Sequence, residues 1–144
     1  MQRDGNKDTD SLSLSHSQKN AVFTTLVVEE DLAYADFLAE FLKTEGHYIL
    51  RASTAEGALA MVRQHWPDLI LLNREMSGTN GLKFLPELLM EHPSAAIIMM
   101  ASHSNSADAV EAIKLGAVDY LERPLDADKL RNAIATQRAL YEIL

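Results

Sequence analysis

The sequence predicts an α/β domain with a doubly wound, five-stranded parallel sheet of order 2-1-3-4-5 and helices on both faces. From Thr24 onward, short apolar runs alternate five times with segments whose apolar residues recur at helical spacing. The central apolar runs are uninterrupted, which is typical of strands that are covered on both faces. A length of 144 residues fits one such domain.

The first strand is predicted at residues 24–29 and the second at residues 48–52, because both are short, apolar and rich in branched or aromatic side chains. Between them, apolar residues recur at helical spacing. Gly46 follows this helix at the position where a helix end favours the left-handed conformation.

The second helix is predicted to begin at Ser53, which has the spacing of a capping box with Glu56, and to end at Pro67. The run at 68–73 then forms the third strand. A loop rich in turn formers follows it and leads into a helix over about 81–91.

The last third of the chain repeats the alternation. Residues 95–101 and 118–122 are predicted as the fourth and fifth strands. Ser106 is the candidate cap of the helix between them, which ends at Gly116. Asp126 can cap a final helix.

Domain boundaries follow from composition. Residues 1–20 are polar and rich in Ser and Asp, so we expect a disordered leader. The folded domain is predicted over 21–140, and residues 141–144 either extend the last helix or begin a linker.

Composition and charge exclude several classes of function. The formal net charge is −8 and the 13 Lys and Arg residues are scattered, so direct nucleic-acid binding is not expected. Without cysteine there are no disulfides and no thiolate chemistry. No apolar run approaches the roughly 20 residues that span a bilayer, and no signal peptide is evident. We therefore expect a soluble cytoplasmic domain without membrane contact.

Parallel strands of this fold end at one edge of the sheet, where ligands bind next to the switch point between strands 1 and 3. The strand ends there carry Glu29, Glu30, Asn73, Ala101 and Arg123, which should therefore cluster.

Four motifs stand at these strand ends in order: LVVEED, PDLILLNREMSGTNG, IIMMAS and GAVDYLERP. Together they resemble the response-regulator receiver domain, the phospho-accepting module of two-component phosphorelay signalling. The resemblance covers roughly Phe23 to Leu140. It implies the flavodoxin-like fold of the CheY-like superfamily.

The resemblance assigns roles at the first and third strands. The acidic pair that holds Mg²⁺ in receivers corresponds to Glu29 and Glu30, and the phospho-accepting Asp corresponds to Asn73. Ser77 stands where receivers usually have a proline.

Further roles fall on the fourth and fifth strands. The residues that switch with phosphorylation correspond to Ala101, in place of a Thr or Ser, and to the aromatic Tyr120. Arg123 stands in place of the family's lysine, and Pro124 is the candidate cis-proline.

These replacements predict an atypical receiver that is phosphorylation-independent, is not an enzyme and needs no cofactor. An acyl phosphate forms on a carboxylate, which the amide of Asn73 does not offer. Ala101 lacks a hydroxyl, and Arg123 is a planar fork that prefers carboxylates. We therefore expect Arg123 to pair with Glu29 or Glu30 in place of a metal ion.

Three alternatives stay open. The domain could accept phosphate on Glu30 or Asp31, with Mg²⁺ held by Glu29, Glu30 and Asn73. An engineered exchange of an acceptor Asp would explain Asn73, although not Ala101 or the glutamate pair. A flavin-binding electron carrier has the same fold, but its phosphate loop would follow the first strand.

The expected role is that of a protein-interaction module. The face formed by the fourth helix, fifth strand and fifth helix would contact a protein partner or a second copy through Val110, Lys114, Tyr120 and Lys129. The resemblance implies a histidine kinase or a C-terminal transcription effector domain as further partners.

Overall fold

In the computed structural model, which describes residues 23–103 and 105–143, five parallel strands form one sheet. The leader predicted for residues 1–20 lies outside the described residues, as do residues 21–22 and Leu144. The strands are β1 (Thr24–Val28), β2 (Tyr48–Ala52), β3 (Leu69–Asn73), β6 (Ala96–Ala101) and β7 (Asp119–Glu122). Their order is β2-β1-β3-β6-β7, which confirms the predicted doubly wound sheet.

A short hairpin follows β3, where the sequence predicted only a loop. Its strands β4 (Glu75–Met76) and β5 (Thr79–Asn80) pair antiparallel, and Gly78 adopts a φ of 75° in the turn. Such two-residue turns require positive φ, which glycine adopts without strain. Strands of two residues are too short to leave a periodic signal, which is why the sequence did not reveal them.

Five helices cover the two faces of the sheet. They are α1 (Leu32–Thr44), α2 (Ala55–His65), α3 (Gly81–Glu91), α4 (Ser106–Lys114) and α5 (Ala127–Ile143). One apolar cluster packs α2, α3 and α4 on one face, and a second packs α1 and α5 on the other. Within residues 23–103 and 105–143, no helix combines the length and the apolar character needed to cross a bilayer.

Two predicted helix caps are wrong by one residue. Thr54, not Ser53, caps α2, and Asn105, not Ser106, caps α4, in each case by accepting backbone N–H groups of the first turn. Neighbouring residues here are all good caps, and only backbone geometry decides which side-chain oxygen reaches the free N–H groups. Asp126 does cap α5, as predicted.

Candidate functional site

The carboxyl ends of the strands form one continuous edge, and backbone hydrogen bonds extend the sheet into it. The N–H of Arg74 donates to the carbonyl of Met100 at 2.8 Å, and that of Arg123 donates to the carbonyl of Ala101 at 2.7 Å. Arg74 and Arg123 are therefore both tethered to the end of β6. The edge brings together Glu29, Asn73, Ala101 and Arg123, as the sequence predicted.

The side chains of Glu29 and Asn73 are both buried and bind each other. Asn73 Nδ2 donates to Glu29 Oε2 at 3.0 Å, and the same oxygen accepts the N–H of Asp31 at 2.9 Å. Asn73 Oδ1 accepts the N–H of Glu75 at 2.9 Å. Both ends of the amide are thus engaged. A carboxylate in its place would face Glu29 with like charge at hydrogen-bonding distance.

Arg123 provides the positive charge of the site and pairs with Glu29, not with Glu30. Its Nη1 lies 3.4 Å from Glu29 Oε1, and the two side chains are 18% and 1% exposed. The contact is single, although the guanidinium could bind a carboxylate through two nitrogens. Glu29 Oε1 accepts no hydrogen bond from the residues that the structure describes.

Tyr34 contacts the same guanidinium. Its ring centroid lies 4.3 Å from the central carbon of the Arg123 guanidinium, which is a cation–π contact. The Tyr34 hydroxyl accepts the N–H of Leu125 at 3.0 Å, next to Pro124, whose peptide bond is cis as predicted. A cavity of about 240 Å³ over this contact is lined by Tyr34, Ser102, Arg123 and Pro124.

Glu30, the second of the predicted acidic pair, is exposed and turned toward the hairpin. Its carboxylate accepts the N–H of Ser77 at 2.6 Å and the Ser77 hydroxyl at 2.7 Å. The hydroxyl, and then the N–H, lowers the pKa of Glu30 below its ordinary value. Glu30 is therefore exposed and bound to the hairpin, whereas Glu29 is buried beside Arg123.

Glu75 is a site residue that the sequence did not single out. Its Oε1 accepts both the N–H and the hydroxyl of Ser102 at 3.0 Å, and its Oε2 lies 3.3 Å from the same N–H. The preceding residue, Arg74, pairs with Asp108 in the first turn of α4, at 2.9 Å. Nothing in the sequence marks these contacts, because the register of the hairpin decides where the two side chains point.

The two predicted switch positions differ in burial. Ala101 is fully buried. Tyr120 is half-buried and packs against the cluster of α2, α3 and α4, but its hydroxyl is buried and has no hydrogen-bond partner among the described residues. Loss of solvation raises the pKa of the Tyr120 hydroxyl above its ordinary value, and the negative charge of Asp108 raises it further.

The family model of the response regulator receiver domain matches residues 25–135. The match covers most of the chain, so this protein belongs to the response-regulator receiver family.

Named relatives are bacterial regulators. The chain is 37% identical over 117 residues to the nitrogen assimilation regulatory protein NtrX of Azorhizobium caulinodans, covering 80% of this chain and 25% of the relative. It is 36% identical over 109 residues to the transcriptional regulatory protein ZraR of Salmonella typhimurium, covering 76% and 25%. The chain therefore spans about a quarter of the length of these relatives.

Solved structures show the same fold. The receiver domain of NtrX from Brucella abortus superposes with a TM-score of 0.75 at 33% identity, covering 80% of this chain and 98% of that one. A CheY-like receiver domain protein from Methanospirillum hungatei superposes with a TM-score of 0.79 at 23% identity, covering 85% and 98%. At that lower identity the likeness is one of fold alone.

Proposed function

We propose that this receiver domain works without phosphorylation, as a regulatory protein-interaction module. The observation that carries the proposal is the closed set of contacts among Glu29, Asn73 and Arg123. An amide stands where the acceptor carboxylate is expected, and a guanidinium lies beside the buried acidic residue.

The alternative acceptors are engaged in structural contacts. Both oxygens of Glu30 accept hydrogen bonds from Ser77, and Asp31 Oδ1 caps α1 by accepting the N–H of Tyr34 at 3.2 Å. These hydrogen bonds stabilise both carboxylates in their present positions and make each a weaker nucleophile. This supports a domain that does not use Glu30 or Asp31 as an acceptor.

The three residues that would hold Mg²⁺ do not fit that ion. Mg²⁺ requires a near-octahedral set of oxygens at about 2.0–2.1 Å. Glu29 Oε2 and Asn73 Oδ1 already accept backbone N–H groups, and Glu29 Oε1 faces the positive charge of Arg123. In the described part of the chain, no three His, Asp or Glu side chains form a group that could hold a metal ion. We propose that Arg123 supplies the charge that a metal ion supplies elsewhere.

The proposed contact surface is the face of α4, β7 and α5. Val110 and Ile113 are 54% and 50% exposed there, and Val118 is also exposed. Lys114 and Lys129 are exposed on the same elements. Isolated apolar side chains are common on surfaces, but several exposed on one face form a candidate contact with a protein partner. We propose that an effector domain, a kinase or a second copy binds here, by analogy with the transcription regulators that the chain resembles.

Incubation with acetyl phosphate and Mg²⁺, followed by intact-mass measurement, tests the proposal. We expect no gain of a phosphoryl group under conditions in which a receiver with an acceptor Asp, run in parallel, is modified. A phosphoryl adduct would overturn the proposal. If that adduct disappeared in the Glu30→Gln variant, Glu30 would be the acceptor.

A further inference from the structure

Two neighbouring side chains, Arg74 and Glu75, tie the end of β3 to the segment that leads into α4. Glu75 binds both polar hydrogens of Ser102, at the start of this segment. Arg74 Nη2 binds Asp108 Oδ2 at 2.9 Å, at its end. Ser102 and the first turn of α4 are therefore each attached to one of the two residues that directly follow Asn73.

We propose that the Glu75 carboxylate is a built-in anion that occupies the donor groups of Ser102 and, together with the Arg74–Asp108 ion pair, holds α4 and Tyr120 in one arrangement. A carboxylate of the chain itself would thus supply the negative charge that stabilises the face formed by α4, β7 and α5. This inference rests on the proposed function in one respect: without phosphorylation, no phosphoryl group competes with Glu75 for the N–H and hydroxyl of Ser102.

The backbone of Glu75 is held in place on both sides, and its carboxylate makes an exposed contact with Ser102. Its N–H is held by Asn73 Oδ1, and its residue pairs with Asn80 in the hairpin. The hairpin is held from the opposite side through Ser77 by Glu30. The backbone of Glu75 is thus already ordered, and its charged acceptor makes stronger hydrogen bonds to Ser102 than a neutral one would.

The ion pair of Arg74 and Asp108 acts on α4 itself. Both side chains are mostly buried, at 24% and 28% exposure, which shields the pair from screening by salt. Asp108 lies in the first turn of α4, where a negative charge also interacts favourably with the helix dipole. The pair therefore fixes the end of α4 that lies nearest to the site.

Tyr120 depends on this arrangement. Its hydroxyl is buried without a partner, a state that costs free energy and persists only while the surrounding structure excludes water. Its ring packs against the apolar cluster that includes Ala112 of α4. Loosening of the first turn of α4 would therefore alter the packing of Tyr120 and the surface formed by α4, β7 and α5.

The test compares Glu75→Ala and Glu75→Gln with the parent protein by amide hydrogen exchange over residues 102–114. Loss of the Glu75 hydrogen bonds should accelerate exchange of the Ser102 amide and of the first turn of α4 by roughly 2- to 10-fold in Glu75→Ala. Glu75→Gln, which keeps a neutral acceptor, should have a smaller effect. The matched control is Glu87→Gln, which removes an exposed carboxylate from α3 and should leave exchange in this segment unchanged.

The ring resonances of Tyr120, assigned with the Tyr120→Phe variant, provide a second readout and should shift in Glu75→Ala but not in Glu87→Gln. Exchange and resonances equal to those of the parent would overturn the inference. If Glu75→Ala did not fold, Glu75→Gln and Ser102→Ala would carry the same comparison. Loosening of α4 together with a phosphoryl adduct on the parent would reject the proposed function and leave this inference standing. If α4 did not loosen and no phosphoryl adduct formed, this inference would be rejected and the proposed function would stand.

Discussion

Exchange of Asn73 for Asp would place a second carboxylate against the buried carboxylate of Glu29. The Asn73 amide now donates to Glu29 Oε2 at 3.0 Å. Asn73→Asp removes that donor and brings two negative charges to the same separation. Their repulsion is about 5 kcal/mol at an effective dielectric constant near 20.

A proton bound to one of the two carboxyl groups would remove the repulsion, which limits the loss in the free energy of unfolding. An unfolded Asp has a pKa near 3.9, so keeping the introduced carboxyl protonated at pH 7 costs about 4 kcal/mol at most. Arg123, at 3.4 Å from Glu29, offsets part of this. We therefore expect Asn73→Asp to lower the free energy of unfolding at pH 7 by about 2–4 kcal/mol.

The pH dependence provides the decisive measurement. The folded-state pKa of the introduced carboxyl is raised, so the folded variant binds more protons than the unfolded chain between about pH 4 and its folded-state pKa. The deficit relative to the parent should therefore shrink as the pH falls from 7 toward 4.5. Urea unfolding at several pH values measures it, with Asn132→Asp on the exposed side of α5 as the control. A deficit that is absent at pH 7, or that does not shrink on acidification, would refute the reasoning.

Four further outcomes are expected. Arg123→Ala leaves the buried carboxylate of Glu29 without its countercharge and should cost about 2–3 kcal/mol in urea unfolding. Gly81→Ala should lower the melting temperature by several degrees, since its Cβ would lie 2.7 Å from Arg74 Cα, and relieving this contact costs about 1–3 kcal/mol. Addition of millimolar MgCl₂ should leave the melting temperature of the parent unchanged, because an ion that does not bind the folded state does not stabilise it. Burial lowers the pKa of His47 to about 4, so below pH 6.5 this side chain is protonated in the unfolded chain but not in the folded one. His47 should therefore lower the free energy of unfolding by about 2 kcal/mol as the pH falls from 7 to 5.

Matched measurements distinguish these effects from general loss of stability. Arg51→Ala, which breaks the exposed ion pair with Asp36, should cost far less than Arg123→Ala. His47→Gln should reduce the pH dependence of stability between pH 7 and 5. Equal losses of unfolding free energy in Arg51→Ala and Arg123→Ala would contradict the expectation for Arg123, and a saturable rise of the melting temperature with Mg²⁺ would contradict that for the metal. An unchanged melting temperature in Gly81→Ala, or an unaltered pH dependence of stability in His47→Gln, would contradict the other two.

The sheet could be predicted almost completely from the sequence, while the side-chain contacts of the site could not. Uninterrupted runs such as 69–72 are recognisable because a strand buried on both faces admits almost no polar residue. Strand order then follows from the handedness of the crossovers. The caps at Thr54 and Asn105 were missed by one residue, since several neighbouring residues can cap and only backbone torsion selects one.

Local pattern determined which residues reach the carboxyl edge of the sheet, because hydrophobic periodicity is a property of the chain itself. Strand order alone predicted that three of them, Asn73, Glu29 and Arg123, would lie close together. Only the tertiary structure decided that Arg123 pairs with Glu29. It also decided that Glu30 binds Ser77 and that Glu75 binds Ser102. These choices depend on the two-residue hairpin after β3 and on ångström-scale distances between residues far apart in sequence, and neither leaves a mark on composition, spacing or period.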